Sequence, residues 1–87
     1  MDRDLAELLK YYKCMLEFGN ALSNMGKELD AEADTAASML GDSVSARCIS
    51  GIRECSSKLR ITGDYIITES EKELRAVIKD KNDFDAL

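Results

Sequence analysis

Apolar residues recur through the first half of the chain at alternating spacings of three and four. The alternation persists for more than four heptads, through Leu5, Leu8, Tyr12, Met15, Gly19, Leu22, Gly26, Leu29, Ala33 and Ala36. A repeat of this period places its members on one face of an α-helix. Leu9, Leu16, Ala21 and Met25 widen that face, as is typical of a globular bundle. The pattern predicts a first helix over about residues 3–38.

Two glycines, Gly19 and Gly26, lie seven residues apart on this apolar face. Each costs a helix about 1 kcal/mol relative to alanine. Their shared position favours a second backbone that approaches closely at both, and ordinary tolerance of glycine is the alternative.

The helical pattern stops at the segment Met39-Leu40-Gly41-Asp42-Ser43. Gly41 is suited to end a helix, because glycine readily adopts the left-handed conformation. Asp42 or Ser43 is suited to cap the start of another. A stop followed directly by a start predicts a tight turn over residues 39–43.

A second, weaker helical pattern follows the turn. Its apolar positions are Ile49, Ile52, Leu59, Ile66, Leu74 and Val77. They predict a second helix over about residues 43–80, in which Gly63-Asp64 is a candidate position for a kink or break. The charged tail, residues 81–87, is expected to fray.

One domain spanning residues 1–87 therefore has an all-α fold, an antiparallel helical hairpin. Helices of ~36 residues span about 55 Å at 1.5 Å per residue. A hairpin two helices thick leaves one flank of each helix exposed. We expect a partner or a second copy of the chain to complete a four-helix bundle.

Charges near the turn favour this pairing. The first helix is acidic there, and the second is basic through Arg47, Arg53, Lys58 and Arg60. Folding about Gly41 is expected to place Asp30 near Arg53 and Asp34 near Arg47. Exposed ion pairs contribute only ~0–1 kcal/mol each, and chance complementarity is the alternative.

Composition argues against catalysis. The chain has no histidine, the commonest general base at neutral pH and a frequent metal ligand. It contains no glycine-rich phosphate loop and no nucleophile-elbow motif. The net charge of −5 repels phosphate. We therefore expect no enzyme activity, cofactor, metal or nucleic acid.

Three cysteines, Cys14, Cys48 and Cys55, are an odd number. We interpret them as reduced thiols that are buried as small apolar residues. Cys48 and Cys55 are seven residues apart on one helix, roughly 10 Å, which is beyond disulfide reach. A redox or metal sensor that uses these two across a dimer is an alternative.

No apolar run approaches the ~20 residues of a membrane span, so membrane insertion is not expected. The first residues, Met1-Asp2-Arg3-Asp4, are polar and precede no signal-peptide core. We expect a cytoplasmic protein, or one that is secreted without a cleavable signal peptide.

Two long helices joined at Met39-Leu40-Gly41 resemble the WXG family, the small helical-hairpin proteins of type VII secretion. Leucine and glycine follow an apolar residue here, but the tryptophan of the Trp-x-Gly turn is missing. A hairpin without this tryptophan resembles a diverged branch of the family, such as the small partner proteins of LXG-type toxins. The resemblance also makes Tyr65 and Glu69 a candidate Tyr-x-x-x-Glu export signal, although this one lies within the second helix.

The resemblance implies a module that pairs with a helical protein, either its own copy or the N-terminal domain of an effector, and helps to target it for export. The residues expected to bind the partner are Leu8, Tyr12, Met15, Leu22, Leu29, Ile52, Leu59 and Ile66. The alternatives are a cytosolic coiled-coil adaptor or phage regulator acting by dimerisation, and a nucleic-acid-linked regulator acting through the basic residues near the turn.

Overall fold

The computed structural model describes residues 3–40 and 43–78. Within these ranges the chain forms α1, Arg3–Leu40, and α2, Ser43–Val77. Gly26 of α1 contacts Ser56 of α2, whereas Gly19, earlier in α1, contacts Gly63, later in α2. The two helices therefore run in opposite directions. The predicted antiparallel helical hairpin is therefore confirmed. It is a rod with extents of 59 × 18 × 16 Å.

The first helix is longer than the sequence predicted. It ends at Leu40, so Met39 and Leu40 belong to its last turn and not to the connection. Nothing within α1 breaks it, because the chain has no proline. Gly41, the expected stop, lies outside the described residues.

The second helix continues through Gly63, so the candidate kink or break at Gly63-Asp64 is absent. Gly63 is instead buried against α1, where its missing side chain allows close contact. The helix ends at Val77, three residues earlier than expected. Just beyond it, the Ile78 amide donates a hydrogen bond of 3.0 Å to the Leu74 carbonyl. The tail at 81–87 lies outside the described residues.

The helices meet along a line of buried small residues, which we call the small-residue seam. It consists of Gly19, Ser23, Gly26 and Ala33 on α1 with Ser56, Gly63 and Ser70 on α2. A Cβ atom added to Gly63 would lie 2.6 Å from the Gly19 carbonyl oxygen, and one added to Gly26 would lie 2.8 Å from that of Ser56. The close backbone approach predicted at Gly19 and Gly26 is confirmed.

Hydrogen bonds supplement packing in the seam. The buried Ser56 hydroxyl donates to the Gly26 carbonyl. The Ser23 hydroxyl donates to an Asp64 carboxylate oxygen 3.4 Å away. Among the described residues, the buried hydrophobic side chains are Leu9, Ala33 and Leu74. The hairpin interface is therefore tight but narrow, and it leaves most large apolar side chains unburied.

The ion pairs between the helices differ from the predicted ones. Asp34 pairs with Arg53 at 2.6 Å, and Asp30 pairs with Arg60 at 2.9 Å. The predicted pairs, Asp30 with Arg53 and Asp34 with Arg47, were wrong. Side chains on a helix tilt toward its N-terminus, so each arginine of α2 reaches about one turn nearer the connection than its Cα position indicates.

Gly63→Ala and Gly51→Ala form a matched pair that tests the seam. Gly63→Ala should lower the free energy of unfolding by about 1–3 kcal/mol, because the new methyl group meets the backbone of α1. Outside its own stretch of helix backbone and its chain neighbours, no atom lies within 4 Å of a Cβ added to Gly51, so Gly51→Ala should raise the free energy of unfolding by up to about 1 kcal/mol. Urea denaturation followed by circular dichroism, at matched protein concentration, measures both. Equal effects would contradict a close-packed seam.

Candidate protein-interaction face

Large apolar side chains form a second line on α1, beside the seam. They alternate at spacings of three and four: Leu8, Tyr11, Met15, Phe18, Leu22, Met25 and Leu29. Tyr11 is 55% exposed, Phe18 52% and Met25 46%. Because α2 packs against the small residues, these larger side chains lie along the flank of the hairpin with no helix over them in the described part of the chain.

α2 continues this surface on the same side. Ile52, Leu59 and Ile66 repeat every seven residues and are half-buried. Tyr65, beside Ile66, is 65% exposed. Together with the line of large side chains on α1, these four residues form what we call the apolar face.

Two shallow grooves run between the helices on this face. One, of about 380 Å³, is lined by Met25, Glu28, Leu29, Glu32 and Leu59. The other, of about 240 Å³, includes Tyr11, Met15, Tyr65 and Ile66 among its lining residues. Both are lined by residues from α1 and α2, which places the apolar side chains of the two helices on one surface.

The structure places seven of the eight residues predicted to bind a partner on the apolar face and the eighth, Tyr12, elsewhere. Leu8, Met15, Leu22 and Leu29 lie on the α1 part of the apolar face, while the three isoleucine and leucine positions lie on its α2 part. Tyr12 borders the seam. All are half-buried except Leu8, which is 36% exposed. Their role in binding stays a prediction.

Sequence reasoning missed Tyr11 and Phe18, two of the most exposed members of the apolar face. The sequence contains a pattern that indicates both residues. Placed between Leu8, Met15 and Leu22, they complete a second three-and-four alternation that runs beside the one containing the glycines.

One ionisable group on this side has a shifted pKa. Desolvation raises the pKa of Tyr12, and a hydrogen bond with the Glu73 carboxylate and the negative charge of that group raise it further. The adjacent Tyr11 ring packs edge-on, with ring centroids 5.4 Å apart. The arrangement keeps the Tyr12 hydroxyl protonated and ties α1 to α2 near the open end of the hairpin.

All three cysteines are free and exposed. The expectation that they are buried as small apolar residues was therefore wrong, because the seam is filled by glycine, serine and alanine instead. Cys55 lies three residues after Ile52 and four before Leu59, and Cys48 lies four before Ile52. Residues at these spacings are neighbours on a helix surface, so both thiols border the apolar face.

The motif residues occupy different regions of the hairpin. Met39, on the last turn of α1, is 77% exposed. Tyr65 and Glu69 both lie within α2 and line the groove near the open end of the hairpin. The candidate export signal is thus part of the helical surface.

Within residues 3–40 and 43–78, no helix is long and apolar enough to cross a membrane. The same residues contain no group of three or more histidine, cysteine, aspartate or glutamate side chains that could hold a metal ion. Comparisons of the chain with protein-family models, with curated proteins and with solved structures each find no match.

Glu73→Gln should lower the pKa of Tyr12 toward its ordinary value of about 10, because the nearby negative charge is removed. Desolvation, the largest cause, should keep part of the rise. In a Tyr11→Phe/Tyr65→Phe background, the absorbance of the tyrosinate ion against pH measures the change. Glu69→Gln is the matched control, and an equal shift from that variant would contradict the assignment.

The raised pKa of Tyr12 also determines how the stability of the folded protein depends on pH. The folded protein holds the Tyr12 proton more tightly than the unfolded chain does. This contribution to stability is complete below the unfolded pKa of about 10 and is lost as pH rises through the raised pKa.

Proposed function

We propose that the chain is a protein-interaction module that pairs with a second helical protein through the apolar face and so completes a four-helix bundle. The proposal rests on one observation, that α1 carries small residues on one line and large apolar residues on the next. Small residues pack the hairpin, and large apolar residues such as Phe18 and Met25 are left about half exposed.

Energetics support pairing. Removing apolar surface from water contributes ~25 cal/mol per Å², and a contiguous exposed apolar patch of this kind is typical of an interaction site. A domain of this size buries only roughly 60–65% of the surface that its unfolded chain exposes. A partner that covers Tyr11, Phe18 and Leu22 therefore supplies burial that the hairpin lacks.

The geometry also suits a helical partner. The apolar face runs along both helices of the rod, and on α1 it presents side chains at alternating spacings of three and four. Helices pack by inserting such rows into the grooves of a facing helix. A second helical hairpin matches both the length and the periodicity.

A narrower proposal places the module in type VII secretion. Two long helices joined through residues 41 and 42 agree with the layout expected from the WXG resemblance. In that role the chain covers the apolar face of an effector, or of its own copy, and helps to present the pair to a membrane-embedded secretion ATPase. The exposed Tyr65 and the next-turn Glu69 are available on the surface for such recognition.

Phe18→Lys, with Asn20→Lys as its matched control, tests the pairing. Phe18 lies on the apolar face, and Asn20 is exposed on another side of α1. The chain is expressed alone and with the products of neighbouring genes, and size-exclusion chromatography with mass detection follows. We expect an assembly that Phe18→Lys weakens at least tenfold, since a charge replaces an aromatic ring that the partner would cover, and that Asn20→Lys preserves.

A folded 9.7 kDa monomer under every co-expression condition would contradict the proposal. Export is measured separately, in hosts with and without the secretion ATPase. Equal release from both hosts would remove the type VII role and leave the pairing intact.

A further inference from the structure

Two glutamates at the edge of the apolar face lack a cation within the described chain. Glu28 and Glu32 line the larger groove beside Met25, Leu29 and Leu59. They are one helical turn apart on α1, so their charges repel. The ion pairs of α1 with α2 instead use Asp30 and Asp34.

A partner that covers this groove brings its own side chains close to both carboxylates. Removing the acids from water without a compensating charge would oppose docking. The groove therefore favours a partner with a cation at this height along the rod.

The chain itself carries such a cation on the other helix. Lys58 is exposed and lies seven residues before Tyr65, which places it on the line of α2 that borders the apolar face. Its ammonium group is 3.3 Å from Glu54 on the same helix, an exposed pair that is worth little.

Lys58 also lies at the same level along the rod as the two glutamates. Gly26 is against Arg60, so two residues along each helix in opposite directions bring Glu28 level with Lys58. Arg60 reaches Asp30 because side chains of α2 tilt toward the connection. The same tilt carries the ammonium group of Lys58 toward the level of Glu32.

We propose that the partner is a second copy of this chain, bound face to face with both connections at the same end. This inference rests on the proposed function. A two-fold axis along the rod places α1 of each copy against α2 of the other, without changing the height of any residue. Lys58 of each copy then meets Glu28 and Glu32 of the other.

The opposite orientation suits the acids less well. With the connections at opposite ends, α1 packs on α1, and Glu28 lies level with Met15 of the second copy. Lys58 can reach an acid in either orientation, because Glu69 of the second copy is near it when the connections are at opposite ends. Glu28 and Glu32 meet a cation only when the connections are at the same end, so these two residues favour that orientation.

The available area agrees with a stable dimer. One whole side of the rod, with extents of 59 and 18 Å, has a projected area of roughly 1,000 Å², so it is large enough to hold the about 800 Å² per partner that a specific interface buries.

Charge exchange tests the contact. Glu32→Lys and Lys58→Glu should each weaken the dimer about three- to tenfold in Kd, since the pair occurs twice by symmetry. The double variant should return to within about threefold of the original. Glu17→Lys, exposed on α1 away from the face, controls for net charge. Sedimentation equilibrium gives Kd, and circular dichroism confirms folding.

A spin label tests the orientation. Ser38→Cys, in a chain whose three native cysteines are replaced by serine, places one label near the connection on an exposed position. Pulsed dipolar spectroscopy should give a separation comparable with the width of the bundle. Residue 38 is about 25 Å from the middle of α1, so the opposite orientation would separate the labels by about 50 Å.

Three results would overturn the inference: a chain that is monomeric alone, labels about 50 Å apart, or a double variant that is no tighter than the single ones. A chain that is monomeric alone but binds a different helical protein through Phe18 would end this inference and support the proposed function. No pairing with any protein would end both.

Discussion

The close approach of two helix backbones determines the rest of this structure. At Gly19 and Gly63, and again at Gly26 and Ser56, the space between the helices admits no additional carbon atom without displacement of the backbone. A seam of this kind accepts glycine, serine and alanine only. Apart from the buried Leu9, most large apolar side chains of α1 therefore lie on its flank, where they form a surface instead of a core.

This arrangement separates two tasks that most small domains combine. The seam fixes the register of the hairpin, because the hydroxyl of Ser56 reaches the Gly26 carbonyl only at one alignment of the helices. The seam buries little apolar area, however, and burial is the main source of folding free energy. Register is thus intrinsic to the chain, whereas the large apolar side chains of the apolar face gain little burial from the hairpin itself.

Sequence patterns predicted the helices well and their contacts poorly. The absence of proline and the break near Gly41 were sufficient to place both helices within about three residues of their observed ends. The single predicted stripe, by contrast, merged two adjacent lines of α1, since Gly19 and Gly26 belong to the seam and Leu22 and Leu29 to the apolar face. Hydrophobic periodicity gives serine and glycine little weight, so the buried Ser56, Gly63 and Ser70 left no signal that could separate the lines.

Cys55 gives the apolar face a chemical property besides its hydrophobicity. Its thiol is exposed in the hairpin and lies beside Ile52 and Leu59, where a helix packed on the face would cover it. In the proposed pairing, reagents and oxidants would reach this sulfur chiefly in unpaired chains. Modification of Cys55 would then record which molecules had not found a partner.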